Sequence, residues 1–277
     1  MNDHARNVPA QDAEVIFEDV TKKFDGHPAI ENVNFRVPRG SFTVVIGPSG
    51  CGKSTLLGMA AGLSSPDEGY VFANGRQALG PTPKTALLFQ SYNLFPWLSA
   101  QGNVAFALRN QGCRPAEARK RAKALLGAVG LGGCIQKYPM QLSGGMKQRV
   151  ALVRAFALSP RLLLLDEPFA ALDHQTKKLM HQYLLMTWEE TGCSVVMVTH
   201  SLDEALALAD RIVLVTGSPG RVSDIIDVDL PRPRDPFDDG MRELHAQLEN
   251  HLEREVTRGE FTAEEREILG AAGGSKN

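Results

Sequence analysis

The chain has 277 residues, 43% of them hydrophobic and 22% charged, enough to bury a sizeable core with disorder expected only at the ends. Thirty Lys and Arg stand against 32 Asp and Glu, so no global field favours an anionic partner, and nucleic acid is not expected as one. Cys51, Cys113, Cys134 and Cys193 form no C-x-x-C pair, the N-terminus has no basic-then-apolar leader, and no run approaches the roughly 18 apolar residues of a spanning helix; a zinc site, a disulfide framework and a membrane span are all disfavoured, and a soluble cytoplasmic chain is expected.

Residues 1–13 are polar and read as a tail. EVIFEDVTKKF and AIENVNFRV are short β-rich runs parted by a turn at Gly26 and Pro28, which suggests an antiparallel β-layer. Phe42 to Ile46 is an apolar strand, followed by a glycine loop and a helix opening near Lys53. Ala86 to Phe89, Leu162 to Leu165, Val195 to Val198 and Ile212 to Val215 have the bulk of strands covered on both faces, so a mostly parallel sheet is expected. Between the first two lies a segment in which Ala118, Ala122, Leu125, Leu126 and Val129 recur at helical spacing. The expected fold is therefore α/β, with a core over 14–90 and 156–231 that carries an antiparallel layer, and a helical subdomain over 91–155. A C-terminal helical extension follows over 232–277, where Met241, Leu244, Leu248 and Leu252 form one stripe that is expected to pack on the core.

Gly47-Pro48-Ser49-Gly50-Cys51-Gly52-Lys53-Ser54 fits G-x-x-x-x-G-K-[ST] between that strand and that helix. Glycines let successive backbone N–H groups turn inward around phosphate oxygens, and the helix start adds its positive dipole end. Lys53 supplies a mobile cation for the β- and γ-phosphates, and the Ser54 hydroxyl can ligate Mg²⁺. A glycine turn with an exposed lysine is the simpler reading of the same letters, and the flanking strand and helix argue against it. Alkylation of Cys51, inside this loop, is expected to block nucleotide entry.

Asp166 and Glu167 stand just past the strand Leu162 to Leu165, where ligands of open α/β sheets collect. Asp166 is the candidate for holding Mg²⁺ and Glu167 for deprotonating the attacking water. Alone, the pair would read as a solvated acidic turn; beside a phosphate loop it does not. Ser143, in Leu142-Ser143-Gly144-Gly145-Met146-Lys147-Gln148-Arg149, occupies a helix N-cap position ahead of Val150, Val153 and Ala157, making a second anion-binding helix start.

That octet resembles the signature motif of ATP-binding-cassette (ABC) transporter ATPases; the resemblance extends over about residues 14 to 230 and implies that the α/β core is that of a P-loop NTPase (RecA-like). It implies further roles in chain order. Phe24 resembles the aromatic that stacks on adenine, Gln90 the glutamine that senses Mg²⁺ and the attacking water, and Ala171-Leu172-Asp173 the loop that crosses the dimer interface. His200 resembles the switch histidine at the γ-phosphate, and Thr55 completes the string Pro-Ser-Gly-Cys-Gly-Lys-Ser-Thr. Taken singly, Phe24 would be core, His200 a satisfied polar residue and Gln90 uninformative; their joint order carries the argument. Met146 replaces the Gln that many cassettes carry, which leaves the backbone cradle untouched. His4, His27, His174, His181, His245 and His251 have no such context and are expected at the surface.

The resemblance implies an ATPase that binds ATP and Mg²⁺, works as a homodimer or paired cassette, and lies at the inner face of the membrane through permease subunits served by an extracytoplasmic solute-binding protein. Ser143, Gly144 and Gly145 would complete the γ-phosphate site of the opposite copy. Leu94, Phe95, Pro96 and Trp97 are either internal packing or part of a groove for a permease helix. The strings Asp-Glu-Pro-Phe-Ala-Ala-Leu-Asp-His-Gln-Thr and Gly217-Ser218-Pro219-Gly220-Arg221 are similar to those of nitrate, sulfonate and taurine importers, which implies uptake of a small nitrogen- or sulfur-containing solute. The competing readings are an exporter or lipoprotein-release ATPase, a non-transport cassette protein and a small P-loop kinase.

Overall fold

A computed structural model describes residues 12–260 of the chain, with side chains over 12–252. Strands β1 (Ala13–Phe24) and β2 (His27–Pro38) form a hairpin, and β4 (Glu68–Ala73) and β5 (Arg76–Gln77) extend it into a four-stranded antiparallel sheet of order β2-β1-β4-β5. The hairpin turn is Asp25-Gly26, at φ 49° and 80°, the positive pair that a tight turn between twisted strands requires. Pro28 lies inside β2, so the expected turn at Gly26 and Pro28 is corrected to Asp25-Gly26.

The second sheet has six strands in the order β10-β9-β3-β8-β7-β6. Five are parallel: β3 (Phe42–Ile46), β6 (Thr85–Leu88), β7 (Leu162–Asp166), β8 (Ser194–Thr199) and β9 (Arg211–Thr216); β10 (Arg221–Asp227) closes one edge antiparallel to β9. The sheet is covered on both faces. Val44, Ile46, Leu163, Leu165, Val195 and Met197 point into one core, and Val45, Leu162, Leu164, Val196 and Val198 into the other. The register places Ile46 beside Thr199 and Asp166 beside Val198, so the carboxyl ends of β3, β7 and β8 finish level. Whatever follows those three strands is brought to one place.

Helix α1 (Lys53–Ala60) runs between the two sheets, contributing Leu56, Leu57, Met59 and Ala60 to their shared core. On the other face lie α2 (Ala100–Asn110), α3 (Pro115–Ala128) and α4 (Gly144–Phe156), then α5 (His174–Thr191) and α6 (Leu202–Leu208). In α3, Ala118, Ala122 and Leu126 are buried, Leu125 is partly buried, and Val129 is buried just beyond. Helix α7 (Asp239–Glu260) packs Met241, Leu244, Leu248 and Leu252 on the same core, as its stripe requires. No described helix is long and apolar enough to cross a membrane.

The histidines divide. His27 and His174 are exposed, but His181 packs edge-on against Phe169 with ring centroids 4.6 Å apart, and the Nε2 atoms of His181 and His251 are buried without a partner. The surface expectation is thus corrected for those two: they lie on the core-facing sides of α5 and α7. His245 is half-buried between Asp203 and Glu249, and His4 lies outside the described residues.

Candidate functional site

The loop from Gly47 to Gly52 bends tightly between β3 and α1, and its shape depends on the β-layer behind it. Gly52 has φ 89°, and a Cβ there would lie 2.2 Å from Ile30 Cγ2 of β2; only glycine lets the antiparallel sheet close on the loop. Gly220, far along the chain, backs the same loop: a Cβ on it would come within 1.9 Å of the Cys51 carbonyl oxygen. Its N–H donates to Ala29 O at 2.9 Å and its carbonyl accepts from Glu31 N at 3.0 Å, which gives the Gly217 to Arg221 string a structural reason.

Lys53 is buried, with Nζ donating to the carbonyls of Gly47 at 2.8 Å and Pro48 at 2.7 Å. The ammonium therefore lies folded back over its own loop. Cys51 is 2% exposed, and burial pushes its thiol up from the ordinary value against the opposing pull of Lys53. A thiol that is buried and held protonated is a poor target, so the expected sensitivity to alkylation is withdrawn for this conformation.

Ser54 Oγ donates to Asp166 Oδ1 at 3.0 Å. Burial raises the Asp166 carboxyl above the usual carboxylate range; neighbouring Glu167 adds to this, while Ser54 and Lys53 oppose it. A carboxylate that is costly to ionise, bonded to a hydroxyl, is a hard-oxygen pair suited to Mg²⁺. Glu167 sits at φ 44°, its N–H donating to Val198 O at 3.0 Å and its carbonyl accepting Gln148 Nε2 at 3.2 Å. Its carboxylate stands between two polar side chains, 3.2 Å from His200 Nδ1 and 3.5 Å from Gln90 Nε2. The structure therefore gathers Gly47 through Thr55, Gln90, Asp166, Glu167 and His200 at the carboxyl ends of β3, β6, β7 and β8.

Ser143, Gly144 and Gly145 are elsewhere. Ser143 caps α4, its Oγ accepting from Met146 N at 3.3 Å, and a Cβ on Gly145 would lie 3.0 Å from Leu172 Cδ2. Asp173 caps α5, accepting from Thr176 N at 3.0 Å and Thr176 Oγ1 at 2.7 Å; the backbone donor foremost, these bonds hold its carboxyl below the usual range. Among the described residues, no hydrogen bond or ion pair joins Ser143, Gly144 or Gly145 to the loop or the acid pair. Met146 packs in part against the core. Phe24 is 51% exposed at the end of β1, its ring 5.6 Å from Lys22 Nζ.

Gln148 joins the site through the Glu167 carbonyl. It lies one turn into α4, and nothing in its local sequence shows that its amide spans to the Glu167 carbonyl.

Beside Gln90 the chain runs through Ser91 to Leu98, held by buried Asn103, which bonds Phe95 N at 2.8 Å, and by Arg154, which bonds Asn93 O at 2.8 Å and Tyr92 O at 3.1 Å. Phe95 is partly buried, while Trp97 is 70% exposed. Next to them is a cavity of about 210 Å³ lined by Leu87, Phe95, Phe106, Asn110 and Arg154 among others.

A family model described as ABC transporter matches residues 30–170. The taurine import ATP-binding protein TauB of Mesorhizobium japonicum is 48% identical over 210 residues, 75% of this chain and 82% of that protein. The bicarbonate transport ATP-binding protein CmpD of Synechocystis is 47% identical over 212 residues, 76% of this chain and 75% of that protein. Among solved structures, a dimeric ATP-binding cassette in a post-hydrolysis state, bound to ADP and Pi, is similar with a TM-score of 0.71 at 34% identity, over 78% of this chain and 100% of that one.

Proposed function

Because this chain belongs to the ABC transporter family as one of its ATP-hydrolysing subunits, we propose that it drives a separate membrane permease importing a small nitrogen- or sulfur-containing solute, and that it does so as a head-to-tail pair. The observation that carries the pairing is the division of the site. One chain holds the phosphate loop with its acid pair in one place and the Ser143 helix start in another, and the related cassette bound to ADP and Pi is dimeric.

In this reading Lys53 leaves the Gly47 and Pro48 carbonyls for the β- and γ-phosphates, and the amides of the loop and of Ser54 and Thr55 hold the α- and β-phosphates. Phe24 stacks on the adenine. Ser54, Asp166 and Gln90 would hold Mg²⁺, which would neutralise charge on the phosphate oxygens. Glu167 orients the attacking water and accepts its proton, while His200 fixes that carboxylate and reaches toward the γ-phosphate. From the second copy, the Ser143 hydroxyl and the Gly144 and Gly145 N–H groups donate to charge developing in the transition state, and Asp173 lies at the join. The exposed Trp97 and the adjoining cavity receive a cytoplasmic segment of the permease.

The cargo reading rests on likeness to the taurine importer protein and on the motif strings. The bicarbonate relative, equally similar, supports a second reading, a small oxyanion without nitrogen or sulfur. Isolation of the native complex, with uptake of labelled taurine, nitrate and bicarbonate in cells with and without this chain, separates the two. Uptake of bicarbonate alone would sink the first choice. In the same complex Trp97→Ala should leave ATP binding intact and reduce copurification of the permease by about tenfold, as loss of an exposed aromatic anchor does; undiminished copurification would remove Trp97 from the contact.

A further inference from the structure

Behind His200 lies a buried network to which none of these roles has been given. Glu204, in the first turn of α6 and 3% exposed, accepts the Thr199 hydroxyl at 2.7 Å through Oε2 and stands 2.8 Å from Lys177 Nζ through Oε1. Thr199 is 2% exposed, and its Oγ1 accepts in turn from Ser201 N at 3.0 Å. The turn Thr199-His200-Ser201 is thus bonded on both sides of the histidine, and both bonds lead to one carboxylate. Lys177 is one turn into α5; its N–H donates to Asp173 O at 2.8 Å, so the far end of the network is the loop Ala171 to Asp173.

A buried carboxylate is expensive unless it is paired and hydrogen-bonded. Capping of α6 does not account for it, because Ser201 Oγ already accepts from Glu204 N, at 3.4 Å. Helix packing does not account for it either, since an apolar side chain would serve. What distinguishes Glu204 is the identity of its partners: one belongs to the turn that carries His200, the other to the helix that begins at Asp173.

We propose that Glu204 is a positioning residue for ATP hydrolysis, tying the His200 turn through Thr199 and the Ala171 to Asp173 loop through Lys177 into one unit. The inference rests on the reading of His200 and Asp173 given above. It makes the aim of the imidazole at Glu167 depend on how the loop facing the second copy is seated, a contiguous bonded link rather than mere proximity.

The test uses the full chain, measuring kcat, KM and Tm. Thr199→Val, isosteric but without the hydroxyl, should lower kcat about tenfold with KM changed less than about twofold, and Thr199→Ser should keep kcat. Lys177→Met should lower kcat measured well below its melting transition, and should also lower Tm, because the buried Glu204 carboxylate loses its cation. In a His200→Ala background Thr199→Val should cost nothing further, whereas a general loss of structure would cost the same factor again. Hydrogen exchange at the Ser201 amide should speed up in Thr199→Val while the β8 amides stay protected. An unchanged kcat in Thr199→Val and Lys177→Met, or equal losses in both backgrounds, overturns the proposal. Wild-type kcat in His200→Ala alone overturns instead the underlying role of His200, which keeps the two failures apart.

Discussion

Glu167 reaches its position through a left-handed backbone, φ 44°, which for a residue with a Cβ costs about 1 kcal/mol. The bonds from its N–H to Val198 O and from Gln148 Nε2 to its carbonyl hold it there. The effect is to turn the carboxylate away from the strand direction and between His200 and Gln90. His181 shows a different cost. Burial lowers its pKa from 6.5 to about 4, with nearby Glu204 pulling the other way and Lys177 adding to the shift. The unfolded chain takes up this proton below 6.5 while the folded chain refuses it until about 4, so the stability it contributes is complete above 6.5 and is lost as pH falls across that window. Tm should therefore fall less between about pH 7 and about pH 5 in His181→Gln than in the parent chain, and parallel pH profiles would show that His181 is not the group responsible. Its burial was not legible from the sequence, because one His in a helix of mixed polarity gives no sign of facing Phe169.

At the scale of elements, α7 is fastened at its approach as well as along its length. Arg234 donates to the carbonyls of Leu206 and Ala209 at 2.7 Å each, closing the end of α6, and also to Leu230 and Val228. Arg232 pairs with Asp210 at 2.6 Å and lies over the Trp188 ring at 4.9 Å. Leu248, buried in the seam, should on change to Ala cost about 2 to 4 kcal/mol. Hydrogen exchange should then accelerate through α7 ahead of the central sheet; exchange that rises evenly everywhere would mean α7 is no separate unit.

Which elements could be read in advance follows from their physics. The strand Phe42–Ile46 was legible to the residue, since a sheet covered on both faces needs an unbroken apolar run. The same holds for the cores of β7, β8 and β9 and for the α7 stripe, whereas β6 ends at Leu88 and Phe89, expected in that strand, lies past it and exposed. Strand β10 was not, because Arg221–Asp227 lies on an edge and carries Ser223, Asp224 and Asp227 toward solvent. Nor was β4, where Gly69 and Glu68 interrupt the pattern, or helix α5, whose apolar positions give no clear stripe. For the site, motifs with fixed spacing were visible, and contacts made across the fold were not: Gly220 beneath Cys51 and Gln148 on Glu167 are set by register and helix packing, which no local string records.

On the scale of the molecule, the proposed pairing takes the level ends of β3, β7 and β8 as one half of an ATP site and the α4 and α5 caps as the half offered to a second copy. Such a pairing would make hydrolysis a property of two copies and would link the chemistry to their approach and release. The most direct measurement mixes two inactive variants, Lys53→Ala, defective in the phosphate loop, and Ser143→Arg, defective in the helix start. Half the dimers in an equal mixture carry both variants, and each of those has one intact site, so activity should return to about a quarter of the parent rate. If the mixture stays as inactive as either variant alone, the two halves do not meet across copies, and the shared site is wrong.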